Sequence, residues 1–304
     1  MSEPRRDDPW GDFWAQNANG SSAGEGGGCL PQRWKAIEEA QRAQWLAFAN
    51  LLAEDARVLD LATGDGRVLR WIRTKRADLS LSGIDLAPRI PASPPGIETR
   101  PAIPMENLPF ADDAFDAVVS QFGVEYGETQ KVAAEIARVL KPGGMVGLMV
   151  HRGDGPILEH NRKRRSELLW ALKEKGVARK VRQQLNSGAG AIDLAAKFAG
   201  KIAQQGAKKF GETSPAWEIP EAIRRSCLMG RRAGVGSIVE TVATIENHAR
   251  NELGRIKSLG DACAKADARA AFLNAFAVHE LTVRETFEVH EPSGRSLADF
   301  LVLR

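Results

Sequence analysis

The thirteen residues from Arg57 to Leu69, Arg-Val-Leu-Asp-Leu-Ala-Thr-Gly-Asp-Gly-Arg-Val-Leu, leave few folds open to this chain. Val58, Leu59 and Leu61 form a short apolar run suited to a buried parallel strand, with Asp60 near its end. Gly64-Asp65-Gly66 then turns the chain into a helical pattern that puts Val68, Leu69 and Ile72 on one face. Strand, glycine turn and helix start form the opening of a nucleotide-binding βαβ unit. The glycines let the backbone approach a ligand closely, and the helix N-terminus offers N–H groups with no partner in the helix. Leu79 to Ile84 reads as the next strand. Asp85 ends it, 19 residues after Gly66, where a carboxylate can accept hydrogen bonds from both hydroxyls of a ribose.

The loop chemistry narrows the nucleotide. Leu69 stands where a dinucleotide fingerprint needs its third small residue, and no Lys-Ser or Lys-Thr follows to make a phosphate-cradling loop. Asp60 and Asp65 would repel a pyrophosphate but tolerate a cationic ligand with an amino-acid tail. These features favour S-adenosylmethionine over NAD or ATP.

Four segments in order extend the pattern: Val58 to Gly66, Gly83-Ile-Asp-Leu-Ala-Pro88, Glu106 to Gly123, and Arg138-Val-Leu-Lys-Pro-Gly-Gly144. Over residues 57 to 150 the chain resembles the class I S-adenosylmethionine-dependent methyltransferases of the small-molecule type that includes the ubiquinone and menaquinone C-methyltransferases. The resemblance implies a doubly wound, Rossmann-like α/β fold with seven strands in the order 3-2-1-4-5-7-6, the last antiparallel. It also implies cofactor contacts from Asp60, Ala62, Thr63, Gly64, Gly66, Asp85, Leu86, Met105, Glu106 and Gln121. Two positions depart from the family. Ala62 replaces the first glycine of the loop, and Pro104 stands where an Asp usually meets the adenine amino group. Glu106, a backbone carbonyl, or apolar packing against Leu86 and Met105 would then hold the adenine.

Bulk properties exclude other classes. No run of 18 apolar residues exists, so no membrane span is expected. The N-terminus lacks an apolar signal segment, and three scattered cysteines suit a reducing cytoplasm rather than a disulfide framework or a zinc site. Residues 1–150 carry 16 Lys and Arg against 21 Asp and Glu, whereas residues 151–304 carry 26 against 18. The basic excess lies in a helical stretch and reads as a solvated face, or as a surface toward a partner.

Along the chain, Trp10, Phe13 and Trp14 stand in a Gly- and Ser-rich start, which such segments rarely keep unless they dock. A helix from Pro31 puts Trp34, Ile37, Trp45, Phe48 and Leu52 on one face. This region, 1–56, is expected to anchor on the core or close over the cofactor, with Arg33 pairing with the methionine carboxylate. Strands follow before Pro101, at Phe115–Gln121 and at 145–150. A helix over 131–140 is stopped by Lys141-Pro-Gly-Gly144. Residues 152–275 read as a helical insert between strands 5 and 6, with stripes Val177-Val181-Leu185, Leu194-Phe198-Ile202 and Ile238-Val242-Ile245-Leu253-Ile256. It is expected to serve as a substrate lid, or to stabilise or dimerise the protein. Two strands, Leu281 to Val289 and Leu297 to Leu303, complete a core formed by 57–151 and 276–304.

Methyl transfer is a displacement at a sulfonium, so positioning matters most, and a base helps if the acceptor is a hydroxyl or an acidic carbon. His151, at the end of the fifth strand, is the candidate base, with a capping histidine as the alternative. Tyr126 could orient a substrate or belong to the core, and Glu125 is a weaker candidate. His160 and His248, in the insert, are expected to face solvent. The expected partner is a small, largely apolar methyl acceptor such as an aromatic or a quinone, methylated on oxygen or carbon, with a homodimer left open. An RNA methyltransferase is the first alternative, suggested by Arg162-Lys-Arg-Arg165. No Asn/Asp-Pro-Pro-Phe/Tyr motif follows the fourth strand, which argues against nucleic acid. A cofactor-binding partner subunit without turnover is the second.

Overall fold

The computed structural model describes residues 10–11, 13–14, 35–187 and 189–304. In chain order its elements are α1 (Lys35–Ala49), β1 (Arg57–Leu61), α2 (Arg67–Lys75), β2 (Ser80–Ile84), β3 (Ile97–Arg100), β4 (Phe115–Gln121), α3 (Thr129–Val139) and β5 (Leu140–His151). The helices α4 (Pro156–Leu169), α5 (Val177–Leu185), α6 (Ile192–Phe210), α7 (Pro215–Met229), α8 (Val235–Asp267) and α9 (Arg269–Ala277) follow. The strands β6 (Val283–His290) and β7 (Ser296–Leu303) end the chain. Seven strands form one sheet in the order β3-β2-β1-β4-β5-β7-β6. β1 to β5 run parallel, and β7 is antiparallel to both of its neighbours.

The chain divides into two compact units. One contains residues 1–158 and 258–304, the other residues 159–257. The stretches 152–158 and 258–275, expected within the insert, thus pack with the sheet.

In the sheet unit, successive strand residues feed opposite cores, as a strand's alternation requires. Val58, Ala117, Val119, Met149 and Phe300 face one cluster, which Trp45 and Phe48 of α1 and Leu69 and Ile72 of α2 complete. Leu59, Val118, Leu148 and Leu301 face the other, with Ile136 of α3 and Phe272 and Phe276 of α9. Both faces being covered, the central strands must be apolar throughout, hence the continuous run in β5. Arg76 ties two helix ends together. Its guanidinium donates to the carbonyls of Ala49, Leu52 and Ala53 at 2.8–2.9 Å and pairs with Asp78 at 2.6 Å.

Three local expectations are corrected. Lys141-Pro-Gly-Gly144 is not only a helix stop, because β5 begins before it. Pairing jumps from Phe115 with Leu140 to Ala117 with Met145, so 141–144 bulge out of the strand, helped by Gly143 at φ 74°. The β6 strand is more exposed than its alternation suggests. Arg284 to Glu288 are all exposed, Phe287 included, because β6 is the sheet's edge.

The third correction concerns the second unit, whose core is all helical. Val177, Val181 and Leu185 are buried as their spacing implies, but Leu194 is 64% exposed. Ile202 of that stripe is buried and Phe198 packs partly buried on the core, and the rest of the buried face of α6 is Ile192, Ala195, Ala196, Ala199 and Ala203. Small residues win there because α7 approaches closely: a Cβ on Gly206 would lie 2.0 Å from the Ala216 carbonyl oxygen.

Candidate active site

The strand order reverses between β1 and β4, and a pocket opens at the carboxyl ends of the central strands, where this architecture binds ligands. The loop after β1 shapes its floor. Ala62, Gly64 and Gly66 all take positive φ, at 55°, 54° and 69°. Ala62 therefore holds a left-handed turn that a glycine would adopt without strain. Gly64 is required for a second reason, since a Cβ there would come within 2.5 Å of the Trp14 ring. Gly66 caps the start of α2 and does not line the pocket. Asp85 fastens this loop to the tip of β2: its Oδ2 accepts the Gly64 N–H and its Oδ1 the Ala87 N–H, both at 2.9 Å.

Asp60 is the most perturbed group of the site. It is 1% exposed, its Oδ2 accepts the Thr63 hydroxyl at 2.7 Å, and its Oδ1 has no partner among the described residues. Burial pushes its carboxyl up to about 8. The Thr63 hydrogen bond opposes this, while the nearby Asp85 and Asp65 charges add to it. Such a carboxyl is matched to a ligand that brings a positive charge. The sulfonium and ammonium of S-adenosylmethionine would do so. The residues present thus fit that cofactor.

At the far side of the pocket, His151 ends β5. Its Nδ1 lies 2.8 Å from Oε1 of Glu125, and the same oxygen accepts its backbone N–H at 3.0 Å. Glu125 is fully buried in the turn after β4 and does not line the pocket. A carboxylate there keeps the proton on Nδ1 and leaves the lone pair on Nε2. The imidazole stacks on Phe122 at 4.1 Å, and Tyr126 meets it edge-on at 5.9 Å. Tyr126 in turn meets Trp10 edge-on at 5.7 Å.

The remaining candidates are distributed as follows. Asp60, Ala62, Thr63, Gly64, Asp85, Leu86, Met105, Gln121, Tyr126 and His151 line the pocket. Glu106 does not: its carboxylate accepts the Glu128 N–H at 2.9 Å at the start of α3. Ile84, Leu86, Ile103 and Met105 line an apolar part of the pocket. Arg33 and Trp34 lie outside the described residues. His160 and His248 belong to the second unit, where His248 is exposed.

Sequence reasoning missed Gln41, Phe122, Ile157 and Leu259, which also line the pocket. Gln41 did carry a signal. It falls between Ile37 and Trp45 at four-residue spacing, a polar residue inside an apolar stripe. It is 0% exposed.

Residues 59–148 match the family model described as a methyltransferase domain. This part of the chain is a methyltransferase domain. The methyltransferase domain resembles the ubiquinone/menaquinone biosynthesis C-methyltransferase of Geotalea daltonii, 33% identical over 108 residues, 32% of this chain and 46% of that protein. It also resembles the demethylmenaquinone methyltransferase of Thermus thermophilus, 38% identical over 96 residues, 29% of this chain and 44% of that protein. The chain thus spans less than half the length of these curated relatives. Among solved structures, a Haloferax volcanii methyltransferase complex with the Trm112 activator matches at 25% identity and a TM-score of 0.38. That match covers 52% of this chain and 68% of the other, and it is too loose to bear on function. No described helix is long and apolar enough to cross a membrane.

Proposed function

We propose that this protein is an enzyme that transfers the methyl group of S-adenosylmethionine to an oxygen or carbon of a small, largely apolar acceptor in the cytoplasm. One observation carries the reading: the two buried acids Asp60 and Asp85 and the Glu125-held His151 share one pocket. The cofactor supplies a methyl group on a positively charged sulfur, whose thioether is a good leaving group.

The chain's residues would do the rest. Asp85 binds the ribose hydroxyls, Asp60 the cationic end, and Ile84, Ile103 and Met105 pack on the adenine. Phe122, Tyr126, Ile157 and Leu259 give the acceptor an apolar wall that excludes water. Orienting the reactants can supply about 7–11 kcal/mol of the barrier reduction. His151 takes the acceptor's proton at Nε2, an effect worth a factor of about 10² to 10⁴. Glu125 keeps the imidazole in that tautomer and stabilises it once protonated.

The helical unit 159–257 would select the acceptor. What supports this is connectivity: the insert leaves the chain just after Ile157 and returns just before Leu259, both of which line the pocket.

Incubation with methyl-labelled cofactor and a panel of phenols, quinols and enolic compounds tests the reading. Label should enter an apolar acceptor, and His151→Ala should cut the rate by about 10² to 10⁴ while S-adenosylhomocysteine still binds. Full activity in His151→Ala would remove the base role. Wild-type protein that binds no S-adenosylhomocysteine would remove the whole proposal.

A further inference from the structure

Gln41 sits in the pocket as a hydrogen-bond donor without an acceptor, and its orientation is forced. The Trp45 indole N–H can only donate, and it points at Oε1 of Gln121 from 2.6 Å. That turns the Gln121 amide so that its Nε2 donates to Oε1 of Gln41 at 3.2 Å. Reversing either amide would set two donors face to face. The chain therefore ends in the Gln41 Nε2, which is buried, has no partner among the described residues, and belongs to a residue lining the pocket. A buried donor left unmade costs about 1–3 kcal/mol, and a ligand acceptor removes that cost.

The rest of the pocket says which acceptor. Asp60 Oδ1 is a buried oxygen without a partner among the described residues, and Gln41 Nε2 is a buried donor lacking an acceptor. Both residues line one pocket, and an amino acid zwitterion has the chemistry to satisfy both, its ammonium on the acid and its carboxylate on the amide. Among the described residues that line the pocket, Arg67 is the single Lys or Arg, and its guanidinium is engaged by Asp65 at 2.8 Å. Among the described residues, the donor left for the carboxylate is then a neutral one.

We infer that Gln41 binds the carboxylate of the cofactor's amino-acid end, and that Trp45 and Gln121 are positioning residues that hold its amide in the donating orientation. The inference rests on the cofactor reading above.

Calorimetry with two ligands tests it: S-adenosylhomocysteine, which has the amino-acid tail, and methylthioadenosine, which lacks it. Gln41→Leu should weaken S-adenosylhomocysteine about tenfold, and Gln41→Glu, which sets a second carboxylate against the first, about a hundredfold. Neither should change the affinity for methylthioadenosine. Trp45→Phe, which frees the Gln121 amide to reverse, should weaken the tailed ligand alone. Gln41→Glu keeps the shape and the Gln121 bond, so it serves if the Leu variant fails to fold.

Equal losses for both ligands, or no loss for either, would overturn the role of Gln41 while leaving the cofactor reading intact. Wild-type protein that binds neither ligand would overturn both.

Discussion

Single side chains carry the chemistry, and Asp60 makes the sharpest statement. Burial pushes its carboxyl up to about 8 from an ordinary value of 3.8. The folded state therefore holds a proton on Asp60 that the unfolded chain gives up above about pH 4. Its contribution to stability is fully present below that value and is lost as pH rises toward 8. A cationic ligand reverses the preference, since it needs the ionised acid. At pH 6, S-adenosylhomocysteine, whose ammonium supplies the positive charge, should bind with release of close to one proton, and affinity should climb as pH rises toward 8. Calorimetry in buffers of different ionisation heat reads this directly. Identical heats in all buffers, or a release that survives Asp60→Asn, would refute it.

Asp85 makes a simpler case. Asp85→Ala should weaken S-adenosylhomocysteine tenfold or more, because charge-assisted hydrogen bonds of about 1.5–3 kcal/mol each are lost and the Gly64 N–H is left without its acceptor. Unchanged affinity would remove the ribose role. Both acids are legible from composition and spacing alone. Gln41 is less so, because its meaning depends on a hydrogen-bond chain from Trp45 through Gln121, a residue 80 positions away in sequence.

Among the elements, the strand–loop–helix at the front of the sheet unit reads directly from sequence, since its glycines and apolar run are local signals. Helix α6 does not. Its stripe Leu194-Phe198-Ile202 suggests the inner face; Ile202 is buried and Phe198 packs partly buried on the core, but Leu194 is exposed and alanines fill most of that face. Spacing identifies which residues share a face, but the partner's distance decides whether large or small ones are buried. Gly206→Ala tests this. Ala outranks Gly in a helix by about 1 kcal/mol, so on propensity alone the variant would be more stable. The Ala216 carbonyl stands 2.0 Å from the new Cβ, so backbone must move. Overpacking of this kind costs about 1–3 kcal/mol. The clash should win, and thermal unfolding should come several degrees lower. A higher melting temperature would contradict the close approach of α6 and α7.

For the molecule as a whole, the division is between a sheet unit with a methyltransferase domain and a helical unit spliced into it at 159–257. Cofactor binding and acceptor choice should separate along that division. Replacing 159–257 with the corresponding insert of a relative that takes another acceptor should change which compound is labelled. Affinity for S-adenosylhomocysteine should stay the same. A chimera that keeps the original acceptor would count against the insert's role.

The resemblance to the methyltransferase family carried the sheet order, while the sequence by itself determined the glycine loop after β1 and the acids flanking it. These follow from strand alternation, glycine turns and charge at short range, where each residue's neighbours along the chain decide its state. Only the tertiary structure decided the pairing of His151 with Glu125, the Trp45–Gln121–Gln41 chain, the true inner face of α6 and the diversion of Glu106 to the start of α3. Each of these depends on which side chain from a distant segment arrives within hydrogen-bonding or van der Waals reach, and no spacing along one strand or helix encodes that.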